Sequence, residues 1–169
     1  MNRKIDWAKA ATNGLFLSLI AIGIDYIQMI FQIEGFIATI LKALKIGGTT
    51  ALLHYYIKKN FIETGSELTY GGSFRYGMAV SLFSTVVCTL ATLILYQVIL
   101  PDAIESQVLQ MLSIYEEMGM SEFVDYDMLM KTMPVIMTIG QIINCLIWGL
   151  ILSSILANKA KVKKDNPFQ

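Results

Sequence analysis

Apolar residues dominate four long stretches of the chain, and shorter segments rich in polar and charged residues separate them. The stretches lie near residues 8–31, 36–57, 74–100 and 133–157. Each holds at least about 20 residues, the length that an α-helix needs to cross a hydrocarbon layer of ~30 Å. The pattern therefore predicts an all-α, polytopic membrane protein in which four transmembrane helices form one bundle, as a single domain over residues 1–169.

The composition agrees with a membrane protein. Hydrophobic residues make up 55% of the chain and charged residues only 15%, whereas soluble domains usually carry about 25% charge. The formal net charge is zero, so no general electrostatic attraction to nucleic acid is expected. The lipid bilayer is the expected environment, with a membrane-protein partner or a second copy of the chain as open alternatives.

Basic residues fall almost entirely on one side of the path that four spans would trace. If the amino terminus is cytoplasmic, only Lys131 lies in the opposite outer loop, while Lys42 and Lys45 belong to the second span. The other ten lie in cytoplasmic segments: Arg3, Lys4, Lys9, Lys58, Lys59, Arg75, Lys159, Lys161, Lys163 and Lys164. The positive-inside rule thus predicts that both termini are cytoplasmic.

The outer segment, residues 102–131, has the pattern of a short helical cap between spans three and four. Pro101 should stop span three, Asp102 and Glu105 have the spacing of a capping box, and Gly119 should end the helix. A second short helix is expected from Ser121 through Lys131. Apolar residues recur at helical spacing and form a candidate partner surface: Ile104, Val108, Leu112 and Tyr115.

Three charged residues fall inside the first two spans. Asp25 and Lys42 are at similar depths if spans one and two form a hairpin, and Lys45 replaces Lys42 if the second helix is rotated. Such a pair would neutralise charges that are costly in lipid. Alternatively, residues 35–45 lie flat on the outer membrane surface and the crossing begins near Ile46.

Polar residues at helical spacing on spans three and four form a candidate seam, represented by Thr85, Thr89, Gln141 and Asn144. The seam is either a polar conduit or a set of interhelical hydrogen bonds, and the scarcity of ionisable groups favours hydrogen bonds. Two cysteines at mid-depth, Cys88 and Cys145, are expected to be reduced packing residues. Small residues spaced by four predict close helix contacts: Ala10, Gly14 and Ser18 on span one, and Gly149, Ser153 and Ala157 on span four.

Several of these segments together resemble a known family. The stretch Tyr70–Gly77 reads YGGSFRYG, the stop after span three is Leu100-Pro101-Asp102, and the last span contains Gly149–Ser153 before Lys159. In order and spacing the chain resembles the four-span bacterial membrane proteins catalogued as domain of unknown function 4199. The resemblance implies a bacterial inner membrane but no activity. The charged second span departs from the expected family pattern.

No catalytic or metal-ligating constellation is visible, so the sequence favours a protein that is not an enzyme and needs no cofactor. The favoured function is a non-catalytic scaffold or accessory subunit of an envelope-associated membrane complex. The alternative is a small ion-coupled transporter, because intramembrane carboxylates such as Asp25 often mark coupling sites.

Overall fold

A computed structural model describes residues 5–63, 69–100, 102–119 and 125–161. These residues contain five α-helices and no strand: Trp7–Ile30 (α1), Gly35–Glu63 (α2), Tyr70–Ile94 (α3), Asp102–Glu117 (α4) and Tyr126–Lys161 (α5). Four of them, α1, α2, α3 with its extension to Ile99, and α5, are long and apolar enough to cross a membrane. The predicted all-α class with four membrane-length helices is confirmed.

Helices α1 and α2 form a hairpin. The Asp6 side chain caps α1 by accepting a hydrogen bond of 3.1 Å from the Lys9 amide. After Ile30 the chain reverses within four residues, where Gln32 and Gly35 adopt positive φ angles of 47° and 67°. Left-handed backbone of this kind allows the sharp turn, and so the two helices lie side by side.

Helix α2 is one uninterrupted helix of 29 residues. At about 1.5 Å per residue it is ~43 Å long, more than the hydrocarbon thickness. A segment lying flat on the membrane surface would need a bend before the crossing, and α2 has no break near Ile46. The continuous helix agrees with the hairpin alternative for residues 35–45.

Helix α3 ends in a π-helical turn, Leu95–Ile99. The Leu100 amide donates to the Leu95 carbonyl at 2.7 Å, a contact that spans five residues instead of four. Leu100 precedes a proline, which disfavours the α-helical backbone, and its φ and ψ of −133° and 64° have left that region. The chain therefore turns out of α3 where the sequence predicts a stop.

Helix α4 departs from the predicted capping box at its start. Asp102 is the first helical residue instead of the cap, and the Leu100 carbonyl accepts a hydrogen bond of 3.1 Å from Ala103. The Glu105 carboxylate accepts a hydrogen bond of 3.4 Å from the Tyr126 hydroxyl instead of capping α4. The predicted glycine stop is confirmed, since Gly119 has a φ of 69° just after the helix.

Helix α5 is longer than the fourth apolar run and corrects the prediction of a separate short helix before Met133. It runs from Tyr126 to Lys161 and contains Pro134, while Ser121 lies outside the described residues. Proline removes one backbone hydrogen bond, but transmembrane helices tolerate it. The apolar stripe of α5 continues through the proline, because Leu129 and Met133 before it and Met137 after it pack in one cluster with α4.

The chain divides into two compact units, one of residues 1–88 and 144–169 and the other of residues 89–143. In the first unit, α1, α2, the start of α3 and the end of α5 share one apolar core. Its fully buried centre includes Ala10, Leu53, Ile57 and Val80. In the second unit, Ile104 and Val108 of α4 pack against Leu129 and Met133 of α5.

Small residues bring the helices of the first unit close together. A Cβ on Gly14 of α1 would lie 2.7 Å from the Val80 carbonyl oxygen of α3. A Cβ on Gly149 of α5 would lie 2.7 Å from the Cβ of Ser81. Real side chains do not approach this closely, so glycine is required at both helix crossings. The predicted close contacts through Gly14 and Gly149 are thereby confirmed.

Candidate functional site

An intramembrane ion pair joins α1 to α2 in the first unit. Lys45 Nζ donates to Asp25 Oδ1 at 2.6 Å. Both side chains are partly exposed in the protein, at 31% for Lys45 and 38% for Asp25. In a low-dielectric environment a contact this short is strongly attractive, and it cancels two charges that would each be costly in lipid.

Lys45 is the partner of Asp25, whereas the sequence analysis placed Lys42 first. Measured from the helix ends at Ile30 and Gly35, the backbone of Asp25 lies at ~7.5 Å, that of Lys42 at ~10.5 Å and that of Lys45 at ~15 Å from the turn. Backbone depth alone ignores that helical side chains lean toward the N-terminus of their own helix. In a hairpin this tilt carries the Asp25 carboxylate away from the turn and the Lys45 ammonium toward it. Lys42 remains exposed.

The two cysteines are close neighbours in the first unit. The Cys88 and Cys145 thiols share a hydrogen bond, and Ser84 also hydrogen-bonds to Cys88. Both cysteines are in the reduced form, as predicted, and Cys88 is buried. The charges of Asp25 and Lys45 lie close enough to act on the Cys145 thiol. The sequence pattern placed both cysteines at mid-depth but did not indicate that they meet.

At Thr85, the predicted polar seam does not form a hydrogen bond between spans three and four. Thr85 is buried, and its hydroxyl donates to the Ser81 carbonyl of its own helix at 2.8 Å. The buried Thr89 hydroxyl has no hydrogen-bond partner among the described residues, and Gln141 is half-buried. Asn144 is exposed, so its assignment to a buried seam is corrected. Serine and threonine satisfy their hydroxyl groups locally when a carbonyl one turn earlier is within reach.

The candidate partner surface on α4 is also corrected. Ile104 is 7% exposed and Val108 fully buried, and both contact α5 within the second unit. Leu112 packs against the same cluster, and Tyr115 is half-buried. The stripe therefore stabilises the second unit and does not present an apolar face to a partner. Sequence periodicity identified an apolar side of α4 but not the α5 extension that covers it.

A polar cluster that the sequence analysis missed joins α1, α2 and α3 in the first unit. Glu63 forms ion pairs with Lys9 of α1 and with Lys59, the latter at 3.8 Å. Nearby, Asn13 Nδ2 donates to the Tyr76 hydroxyl at 2.7 Å. The Lys9–Glu63 and Asn13–Tyr76 contacts join residues more than 50 positions apart, so only knowledge of which helices are neighbours could have revealed them.

A groove in the second unit was also missed. It has a volume of about 520 Å³ and lies between α4, which supplies Tyr115, and the start of α5, which supplies Lys131, Val135 and Ile136. The sequence already showed Lys131 as the one basic residue of the outer segment, residues 102–131. Its position beside an apolar groove required the structure.

The side chains at these sites form ion pairs, hydrogen bonds and packing contacts. Over the described ranges 5–63, 69–100, 102–119 and 125–161, no group of three or more histidine, cysteine, aspartate or glutamate side chains is placed to hold a metal ion. Two pairs of titratable groups inside the helices contact each other, Asp25 with Lys45 and Cys88 with Cys145.

Four membrane-length helices, tight glycine contacts and an intramembrane ion pair define a multi-pass membrane protein. The sequence model of the family described as Protein of unknown function (DUF4199) matches residues 7–160, and the chain belongs to that family. The resemblance drawn from Tyr70–Gly77 and the later motifs is thus confirmed. No curated protein and no solved structure matches the chain.

Proposed function

We propose that this protein is a non-catalytic scaffold or accessory subunit of an envelope-associated complex in a bacterial inner membrane. Both termini are placed in the cytoplasm on the strength of the basic residues that flank the spans. The observation that carries the proposal is the exposed side chain of Asn144, which lies on a membrane-spanning helix.

Asn144 has the position of an interhelical contact group. It precedes Ala157, the end of the apolar run, by 13 residues, which is ~20 Å along a helix and well inside a ~30 Å hydrocarbon layer. Its carboxamide is exposed and makes no hydrogen bond to the described residues. An amide that faces lipid loses its hydrogen bonds to water. An interhelical hydrogen bond from such a group stabilises a pair of membrane helices by about 0.6–2 kcal/mol.

The residues around Asn144 on α5 form an apolar face that another helix could cover. Ile147 and Ile151 lie one and two turns further on, with Trp148 beside them, and all three are exposed. An asparagine side chain both donates and accepts, so it can bond to a polar group on almost any partner helix. A second helix on this face would satisfy the amide and preserve the apolar surroundings.

The ion-coupled transporter is the second candidate, and the Asp25 contact argues against it. A coupling carboxylate must exchange its ion, whereas Asp25 is held by Lys45 at 2.6 Å. Several polar side chains in the spans bond to their own helix backbone and do not line an open path, among them Thr49, Thr50, Thr85 and Thr138. An enzymatic role has no arrangement of described side chains to support it.

The test is to measure assembly and transport on the same purified protein. Protein extracted in mild detergent, with its bound partners, is weighed by native mass spectrometry as wild type and as Asn144→Ala. We expect a stoichiometric assembly. Asn144→Ala should weaken the affinity of the assembly at least fivefold, and Asn144→Gln should retain it. Ser154→Ala is the matched control on α5, because the Ser154 hydroxyl is already bonded to the Leu150 carbonyl at 2.8 Å.

Transport is measured after reconstitution into vesicles that carry a proton gradient. The scaffold proposal predicts no faster dissipation with the wild type than with empty vesicles. A monomer unaffected by Asn144→Ala would contradict the proposal. A proton flux that disappears in Asp25→Asn would replace it with the transporter.

A further inference from the structure

The groove between α4 and the start of α5 has an apolar part and a cationic part. Val135 and Ile136 form the apolar part and are 58% and 52% exposed. Lys131 and Thr132, one turn earlier on α5, form the cationic part, and Tyr115 of α4 and Met128 of α5 also line the groove. A concave surface that is apolar in one part and carries a few polar groups in another is typical of sites for amphipathic ligands.

Two polar groups that line the groove, the Lys131 ammonium and the Tyr115 hydroxyl, have no partner among the described residues. Lys131 makes no ion pair or hydrogen bond there, and the Tyr115 hydroxyl makes no hydrogen bond, whereas Thr132 donates to the Met128 carbonyl at 2.9 Å. An ammonium and a phenol are both hydrogen-bond donors, and they can bind the oxygens of a phosphate. The groove therefore offers a small set of donors for an anionic group.

The length of α5 puts this donor set at the depth of lipid headgroups. The helix has 36 residues. It is therefore ~54 Å long, which is more than the ~30 Å thickness of the hydrocarbon layer. With Ala157 at the inner edge, the hydrocarbon ends near Thr138, and Lys131 lies ~10 Å further out. Val135 and Ile136 then lie at the edge of the hydrocarbon. From Val135 and Ile136 outward to Lys131, the apolar and cationic residues follow the order of acyl chain and phosphate in a phospholipid.

The charged residues of the second unit favour one kind of phospholipid headgroup over others. Lys131 is the only basic residue between positions 89 and 143, and seven acidic residues share that stretch: Asp102, Glu105, Glu116, Glu117, Glu122, Asp125 and Asp127. Asp127 lies four residues before Lys131 on the same helix, a spacing that places two side chains on one face. A headgroup with both a phosphate and a positive amine fits this arrangement better than one that is only anionic.

We propose that the groove binds one phosphatidylethanolamine molecule. Lys131 and the Tyr115 hydroxyl hold the phosphate, Asp127 accepts hydrogen bonds from the primary ammonium, and the first part of an acyl chain lies against Val135 and Ile136. A choline headgroup cannot donate hydrogen bonds to a carboxylate, and it is usually held by a cage of several aromatic rings. Among the described residues, Tyr115 is the one aromatic side chain that lines this groove.

Native mass spectrometry of the full chain, titrated with defined lipids, tests the proposal. We expect one retained phosphatidylethanolamine, bound at least fivefold more strongly than phosphatidylglycerol or phosphatidylcholine. Lys131→Gln should weaken phosphatidylethanolamine binding about tenfold. Lys42→Gln is the matched control, because Lys42 is also an exposed lysine without an ion pair among the described residues but belongs to α2 and does not line the groove.

Two further variants separate the headgroup from the acyl chain. Asp127→Asn should remove the preference for phosphatidylethanolamine over phosphatidylglycerol while leaving one lipid bound. Val135→Trp should fill the groove and reduce the binding of all three lipids alike. Equal binding of the three lipids to the wild type, or equal loss in Lys131→Gln and Lys42→Gln, would overturn the proposal. Tighter binding of phosphatidylglycerol would replace it with an anionic-lipid site.

Discussion

Removal of either member of the Asp25–Lys45 pair leaves the other charge unpaired inside the membrane. In the proposed orientation Lys58 marks the inner end of the α2 crossing, and Lys45 precedes it by 13 residues, or ~20 Å. Lys45 is then ~10 Å below the outer edge of the hydrocarbon. An isolated lysine at the centre of a transmembrane helix costs about 2.5–3.5 kcal/mol, and its long side chain recovers part of this by reaching outward. We expect Asp25→Leu to destabilise the protein by about 2 kcal/mol.

A double-mutant cycle measures the interaction. Lys45→Met should destabilise by a similar amount because it strands Asp25, and Asp25→Leu combined with Lys45→Met should recover most of the loss. The expected coupling free energy is about 2 kcal/mol. The assay is equilibrium unfolding in mixed micelles with a rising fraction of sodium dodecyl sulfate, followed by the circular dichroism of the helices.

Lys42→Met is the matched control for this cycle. Lys42 lies on the same helix, three residues earlier, and makes no ion pair with the described residues. Its replacement should change the free energy of unfolding by less than about 0.5 kcal/mol, as is usual away from buried contacts. Equal effects of Lys42→Met and Lys45→Met, or additive effects of Asp25→Leu and Lys45→Met, would refute the reasoning from the ion pair.

Three further predictions follow from contacts and topology. Gly14→Ala should destabilise by about 1–3 kcal/mol in the same unfolding assay, because its Cβ would overlap α3; Gly23→Ala on α1, where a Cβ meets nothing within 4 Å, should not. Diamide treatment of membranes should join Cys88 and Cys145 in an intramolecular disulfide and protect both from later alkylation; continued alkylation of both would contradict their contact. A reporter inserted at Met118 should lie outside the cytoplasm, and a cytoplasmic signal there would reverse the assigned orientation.

The sequence was sufficient for features that depend on one helix at a time. Apolar runs of membrane length predicted the four spanning helices, and the glycine spacing on α1 predicted a close contact at Gly14. The stop before Pro101 was also visible, since proline constrains its own backbone and that of the residue before it. Each of these signals is local, so one sequence carries it completely.

Features that depend on two helices were harder to predict. Lys45 instead of Lys42 meets Asp25 because side chains lean along their helices, which a count of residues ignores. Ile104 and Val108 resembled an exposed apolar surface because the sequence was divided into a short helix through Lys131 and a separate fourth span, whereas one continuous α5 covers them. Hydrophobic periodicity shows which side of a helix is apolar, but it does not identify the surface that covers it.

The Asp25–Lys45 contact joins two helices that follow each other directly in the chain, and this has a consequence for biogenesis. The two residues are 20 positions apart, so both leave the ribosome before any part of α3. The α1–α2 hairpin can therefore enter the bilayer with Asp25 and Lys45 already neutralised by each other. Later helices join this hairpin through glycine contacts, and their insertion does not have to wait for a distant counter-charge to Asp25 or Lys45.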